Sequence, residues 1–446
     1  MEIKERKLQN STVEFEISVP VDRINEEYSK VIKNIQRTAK VDGFRAGKAP
    51  LDLVEKKYKE KAQEQVVETI VKNTYFEALD EKKLHPITQP KIDFEEFKID
   101  KEFKYKAVFE VFPTVELKDY KNISVEEKQV VVKDDDVKFE IDSLRDKHAT
   151  LSDKENGSAA EKTDQVKVKF RRLDYDKDSK PESDQNFSEM NVIAGKSDKE
   201  YDFDGYVTGM KKDEEKTIKF KYPKDFHVED LAGKKVEYLI KIADIKKRNI
   251  PAADDEFAKD LGEYETFEEL KQKTKENLEK YTSQKTKGDV KSEILKKIIE
   301  KASYDIPLSL IESEKNSIFS RMQQRMGFQI ADRNIFAQAM GMKEEEFEKR
   351  LEDEALNSIK TTITLSEIAR VEKIEVTDED YKAYVTDLSE KNKKSYDEML
   401  KLIEQNKAEQ NIKSEQIFDK TLDFIYNNAK IKMLSPISAK EFMDIK

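Results

Sequence analysis

The stretch VDGFRAGKAP, residues 41–50, decides how this chain is read. Two glycines, a lysine and a proline first suggest a phosphate cradle. A P-loop needs four residues between its glycines and then Lys followed by a Ser or Thr hydroxyl for magnesium. Here only Phe44, Arg45 and Ala46 separate Gly43 from Gly47, and Ala49 follows Lys48 where the hydroxyl should stand. A P-loop also follows a buried strand, whereas Ile24, Tyr28, Val31, Ile35 and Ala39, with Ile32 alongside, recur upstream at helical spacing. Downstream, Pro50 suits a first helical position, and Asp52 and Glu55 favour the positive end of a helix. The spacing predicts a loop joining two helices, with Phe44, Arg45 and Lys48 near its tip. An exposed ring between two cations is a docking device.

The bulk composition is unusually polar for a globular enzyme. The chain has 446 residues, too many for one ordinary core, and two to four domains are expected. Charged residues make up 40% and the hydrophobic set 37%, which suits a helix-rich protein with much surface per residue. With no cysteine, disulfides, zinc-thiolate sites and cysteine nucleophiles are excluded. His85, His148 and His227 share no ligand spacing, and no cofactor is expected. The start, MEIKERKLQN, lacks the apolar core of a signal peptide, and no run approaches a membrane span, so a cytoplasmic protein without a membrane partner is expected.

Charge is unevenly placed. Residues 1–112 balance 22 basic against 22 acidic side chains, so the remainder carries the whole net charge of −11. Within residues 30–61 there are 10 basic and 4 acidic side chains, a basic island around the loop. An acidic molecule with one basic spot approaches a polyanion by that spot.

The rest of the chain divides by period. Val13, Phe15, Ile17 and Val19 alternate as one face of a strand, the second helix runs to about Leu79, and two paired strands turn at Asp100-Lys101. These make an N-terminal α+β domain, 1–112. Residues 113–150 read as a linker with a helix starting at Asp134 to Asp136. Residues 151–248 hold alternating strands: Val166, Val168 and Phe170; Ile218, Phe220 and Tyr222; Val236, Tyr238, Ile240 and Ile242. A small antiparallel β domain fits. Residues 249–446 read as a large all-α domain of helical arms. Pro307 starts a helix whose stripe is Leu308, Ile311, Ile318, Phe319, Met322 and Met326, and a late stripe runs through Ile417, Thr421, Phe424, Ile425 and Met433. Met322, Met326, Met340 and Met342 offer flexible thioethers for variable partners, or fill gaps in a helical core.

The loop GFRAGKAP between two helices resembles the ribosome-docking signature of the trigger factor family, the bacterial chaperones that meet nascent chains at the exit tunnel. DFDGYVTGMKKDEEKTIKFKYPKDFHVEDLAGKKVEYLIKI resembles the second half of an FKBP-type prolyl isomerase domain, and IPLSLIESE the start of a long helix in the family's C-terminal domain. The resemblance covers essentially the whole chain in the family's domain order. It implies that Gly43, Phe44, Arg45, Ala46, Gly47 and Lys48 form the contact to the large ribosomal subunit, both protein and rRNA, beside the tunnel exit. Family members often carry Lys at position 46, so Ala46 removes one cation and leaves more of the attraction to Arg45 and the basic helices. The resemblance also implies partners in nascent and unfolded polypeptides, with a homodimer away from the ribosome as a further assembly.

Mapped by position, Phe170, Phe187, Phe203, Tyr206, Phe226 and Tyr238 resemble the lining of the prolyl pocket, an aromatic hollow that needs neither nucleophile nor metal; core aromatics of a small sheet are the competing reading. The sequence departs from the family's pattern in Arg171 and Arg172 after Phe170, in Ser188 after Phe187, and in Asp204-Gly205 where Pro-Gly is usual. The resemblance therefore implies the FKBP-like fold with an isomerase activity reduced or lost. Two alternatives compete with the ribosome-bound chaperone: a free-standing prolyl isomerase and holdase whose helices mainly dimerise, and a nucleic-acid-binding protein using the basic island. The net charge of −11 weighs against the last.

Overall fold

The computed structural model describes residues 1–45, 47–155, 157–173, 187–197, 199–226, 228, 231–327, 330 and 332–444. The chain forms two compact units, Met1–Glu127 with Lys287–Met433, and Lys128–Thr286 with Leu434–Lys446.

The first unit opens with β1 (Glu2–Lys7), β2 (Thr12–Val19), α1 (Val21–Thr38), α2 (Leu51–Lys82), β3 (Lys91–Phe94) and β4 (Phe103–Glu110). The strands form an antiparallel sheet in the order β1-β2-β4-β3. The alternation of β2 buries Val13, Phe15, Ile17 and Val19 against Ile24, Tyr28 and Val31 of α1 and Val66, Ile70 and Tyr75 of α2. Phe15 and Phe109 meet edge to face at 5.0 Å. Truncating the fully buried Phe15 to alanine would cost about 3–5 kcal/mol. β1 has no counterpart in the sequence reading. Its residues, EIKERK, are charged on both faces, which hides the alternation and blunts the edge of the sheet.

The stretch 113–150 carries short elements of its own. It supplies β5 (Thr114–Glu116), β6 (Ser124–Glu127), β7 (Val130–Val131) and α3 (Asp134–Lys147). Each short strand finds a partner far along the chain, as described below.

In the second unit, β8 (Thr150–Asp153), β9 (Gln165–Arg172), β10 (Ser188–Ile193), α4 (Asp204–Val207), β11 (Glu215–Lys221) and β12 (Lys235–Asn249) build an antiparallel sheet. Its order is β10-β9-β12-β11, with β8 on the far end of β12 past a register shift between Ile242 and Asp244. Val166, Val168, Ile218, Phe220, Tyr222, Val236, Tyr238, Ile240 and Ile242 are all buried on one face, as the alternation predicts.

The helical remainder comprises α5 (Asp255–Asp260), α6 (Phe267–Lys301), α7 (Leu308–Met326), α8 (Arg333–Ala339), α9 (Glu344–Glu372), α10 (Asp378–Lys391), α11 (Tyr396–Gln405), α12 (Glu409–Asn427) and α13 (Ala439–Asp444). Three short strands interrupt it: β13 (Ser303–Asp305) on β5, β14 (Lys430–Met433) parallel to β6, and β15 (Ile437–Ser438) parallel to β7. Met433, assigned by periodicity to the last helical stripe, instead ends β14 with its side chain exposed. The helix stops at Asn427 because the free edge of β6 takes up the next residues. Thr421 and Ile425 of the same stripe are buried.

α6 buries Leu270, Thr274, Leu278, Thr282, Thr286, Val290, Ile294 and Ile298, every fourth residue. At 3.6 residues per turn such a line winds by about 40° per step. It therefore serves different neighbours along its length. Leu278 packs with Val137 and Ile141, while Ile294 and Ile298 pack with Ile123, Val125 and Ile425. The three buried threonines satisfy their hydroxyls on the carbonyl four residues back, at 2.7–2.9 Å.

Asp136 holds the end of the chain. Its buried carboxylate accepts from the N–H groups of Lys133, Ala439 and Lys440 at 2.8, 3.3 and 2.9 Å. Burial would push this carboxyl up, but the three N–H donors outweigh it and hold the group below the ordinary aspartate range.

Candidate functional site

Two places are candidate sites: the loop between α1 and α2, and the aromatic cluster on the sheet of the second unit. Each is built by local rules that the sequence states.

α1 ends where Ala39 turns extended while its N–H still reaches the Ile35 carbonyl at 2.8 Å. Two tight turns follow, closed by Phe44 N–H to Val41 O and by Lys48 N–H to Arg45 O, both at 3.0 Å. Gly43 and Gly47 sit at φ +86° and +80°, the left-handed region that side chains with a Cβ disfavour. The loop is braced at its base. Gln36 Nε2 donates to the Ala49 carbonyl at 2.6 Å, and Ala49 itself is buried. The Lys40 carbonyl accepts from Tyr58 Oη at 3.0 Å and from Lys57 Nζ at 3.1 Å. Tyr58 sits at a break in α2, with φ −118° and ψ 21°.

At the tip, Phe44 is 43% exposed, and Arg45 and Lys48 are exposed beside it. The ring is not tucked into the domain's own core. Among the described residues neither cation has a carboxylate partner, which leaves both available to an anionic surface. Ala46 lies outside the described residues.

In the second unit, the structure brings together most of the six aromatics that the sequence singles out. Phe170 lies 4.9 Å from Phe203 and 6.2 Å from Tyr238, and Phe203 lies 5.6 Å from Tyr238 (ring centroids). Phe203 and Tyr238 are buried, whereas Phe170, Tyr206 and Phe226 are half-buried around them. Phe220 links the group, 4.7 Å from Phe203, 5.0 Å from Tyr238 and 5.9 Å from Tyr206. Phe226 joins through Tyr222 at 4.7 Å and Tyr201 at 5.5 Å. The Tyr222 and Tyr238 hydroxyls lie 3.1 Å apart.

Phe187 stands elsewhere. Its ring lies under the Arg171 guanidinium at 5.6 Å, and Arg171 alternates with Phe170 along β9, so it faces the other side of the sheet. The Arg171 Nε is buried without a hydrogen-bond partner among the described residues. Periodicity does not single out Tyr201, and it gives Phe220 and Tyr222 as core alone. The signal for the latter two was their alternation with Ile218, which gave their face but not their neighbours.

The cluster offers an apolar, ring-walled surface. Among the described residues no set of three His, Cys, Asp or Glu side chains could hold a metal, and His227 lies outside them. Burial, with help from Asp202, pushes the Asp204 carboxyl up at the start of α4. Such a ring-walled surface can strip water from a prolyl amide, whose rotation barrier is roughly 18–20 kcal/mol.

The helical part of the first unit contributes apolar surface. Met322 and Met342 are half-buried against Phe319, Phe336 and Phe347, whereas Met326, Met340 and Ile335 are exposed. A groove of about 610 Å³ is lined by Phe112, Val115, Leu310, Ile359 and Ile363, with Glu314, Glu367 and Arg370 also on its walls. Among the described residues no helix is long and apolar enough to cross a membrane.

Comparison with known proteins places the whole chain in one family. Residues 1–144 match the family model described as bacterial trigger factor protein, and residues 266–427 match the model of its C-terminus. The trigger factor of Geotalea daltonii is 30% identical over 436 residues, covering 97% of this chain and 98% of the relative. That of Clostridium acetobutylicum is 29% identical over 433 residues, covering 97% and 100%. A solved structure of the trigger factor chaperone, described for promiscuous substrate recognition in folding and assembly, shares the fold with a TM-score of 0.52 at 23% identity. That match covers 96% of this chain and 99% of the other. The chain belongs to the trigger factor family, chaperones whose role is to dock at the ribosome and assist the folding of nascent polypeptides.

Proposed function

We propose that this chain is an ATP-independent cytoplasmic chaperone that docks beside the ribosomal exit tunnel through Phe44, Arg45 and Lys48 and shields the emerging polypeptide with its helical part. The observation that carries the docking site is the exposed Phe44 ring followed by two exposed cations, Arg45 and Lys48, on a loop braced by Gln36 and Tyr58. Arg45 supplies a two-pronged contact to phosphate or carboxylate, Lys48 a point charge, and Phe44 an apolar anchor. The functional division that follows is a ribosome-binding domain over 1–112, a linker over 113–150, an isomerase domain over 151–248 and a chaperone domain over 249–446. Co-sedimentation with ribosomes tests it. Binding falls with salt and is lost in Arg45→Glu while the circular dichroism spectrum stays unchanged. Equal pelleting of wild type and variant removes the loop from the docking role.

The isomerase reading rests on the mutual packing of Phe170, Phe203, Tyr206 and Tyr238 with Phe220. The departures at Arg171, Arg172 and Ser188 support a weak activity. Turnover of short prolyl peptides that falls in Tyr206→Ala supports it, and rates at background for wild type remove it. The docking loop favours a ribosome-bound chaperone over a free-standing isomerase whose helices mainly dimerise. A homodimer away from the ribosome is compatible with this reading.

A further inference from the structure

Arg172 is the residue on the aromatic face that the prolyl hollow does not explain. β9 sends Val166, Val168 and Phe170 to the core face at every second position, and Arg172 is the next in that series. The register with β12 is regular here: Ile242 opposite Val168, Ile240 opposite Phe170, and Tyr238 directly opposite Arg172. Tyr238 is one of the buried rings of the cluster, in contact with Phe170, Phe203 and Phe220. Cross-strand partners hold their Cβ atoms about 4.5–5.5 Å apart, so Arg172 starts at the rim of the ring cluster. It is half-buried, and the described ladder to β10 ends two residues earlier, at Ser188 opposite Phe170. Arg171, by contrast, pairs with Leu239 and belongs to the outer face with Phe187.

A hollow lined only by rings grips the proline and is indifferent to the charge of its neighbours. A guanidinium at the rim changes that. It carries five N–H donors, enough to keep contacts within the domain and still bind a ligand carboxylate, and its charge persists at every physiological pH. We propose that Arg172 makes the hollow selective for prolines flanked by an acidic residue in an unfolded polypeptide. The inference rests on the isomerase reading of the ring cluster.

The test uses the full-length chain and three short peptides that differ only in the residue before proline: glutamyl-prolyl, leucyl-prolyl and lysyl-prolyl. A second set carries the same residues after proline. Turnover and binding, the latter by fluorescence anisotropy of labelled peptide, are both read. The wild type prefers the glutamyl over the lysyl peptide by about five- to tenfold in at least one set, the size of one partly exposed ion pair. In Arg172→Met the preference collapses, and in Arg172→Glu it inverts toward the lysyl peptide. A residue that only supports the fold would lower all peptides together and invert nothing. Equal handling of glutamyl and lysyl peptides by the wild type, or an unchanged ratio in Arg172→Glu, overturns the role of Arg172 and leaves the isomerase reading standing. A wild type that neither turns over nor binds any peptide overturns both.

Discussion

The Tyr58 hydroxyl donates to the Lys40 carbonyl at 3.0 Å, tying the break in α2 to the start of the loop between α1 and α2. The bond explains why a loop with two left-handed glycines holds one shape. Its ends are fixed by side chains from both helices, not by the loop's own residues. An anchor held in its bound conformation loses less entropy on docking.

Removing this brace should weaken docking without unfolding the domain. Tyr58→Phe keeps the ring and deletes one partly exposed hydrogen bond, a loss of about 0.5–1.5 kcal/mol. Ribosome affinity should fall several-fold, with a small drop in the thermal midpoint. Unchanged affinity would show that the tip finds its geometry without the brace.

Glycine has opposite meanings in two places. Gly43 sits at φ +86°, where a Cβ meets no neighbour but the backbone itself is strained, so Gly43→Ala should destabilise by about 1–2 kcal/mol. Gly288 lies inside α6 with ordinary helical backbone and nothing within 4 Å of an added Cβ. Gly288→Ala should therefore stabilise by up to about 1 kcal/mol. Denaturant midpoints of the two variants should move in opposite directions, and a loss of stability in Gly288→Ala would contradict the local reading.

Acid should act through Asp380. The Lys420 ammonium, with the hydroxyl and N–H of Thr377, holds its carboxyl down to about 2. The unfolded chain binds that proton near the ordinary value of 3.8. Its contribution is thus complete above about pH 4 and is lost as the pH falls toward 2. Asp380→Asn should flatten the pH dependence of the denaturation midpoint across that window. A variant curve parallel to wild type there would dismiss the pair as a source of acid sensitivity.

Much of the architecture was legible in the chain because it is written in local periods. The alternation of β2 named its buried face, and the strands of the second unit followed the same rule. The loop between α1 and α2 was legible because a helix must stop, turn twice and start again within a dozen residues. α6 was harder. Its buried line includes Thr274, Thr282 and Thr286, residues that read as polar, and its spacing of four matches no single stripe. The aromatic site was half legible, since alternation names a face but not who shares it. Phe187 left the cluster because it lies beside Arg171 on the outer side of the sheet.

What the sequence determined by itself is whatever depends on neighbours within a few turns: helix spans, strand faces, the glycine turns and the exposed ring with its cations. What only the tertiary structure decided is which distant pieces pair. β5 adds to β13, β6 to β14, and Asp136 captures the N–H groups of Ala439 and Lys440 some three hundred residues away. The reason is physical. A period is imposed by backbone geometry that each residue carries with it, whereas a two- to four-residue strand has no preference of its own. It forms only when folding brings it a partner whose free N–H and C=O groups would otherwise stay unpaired.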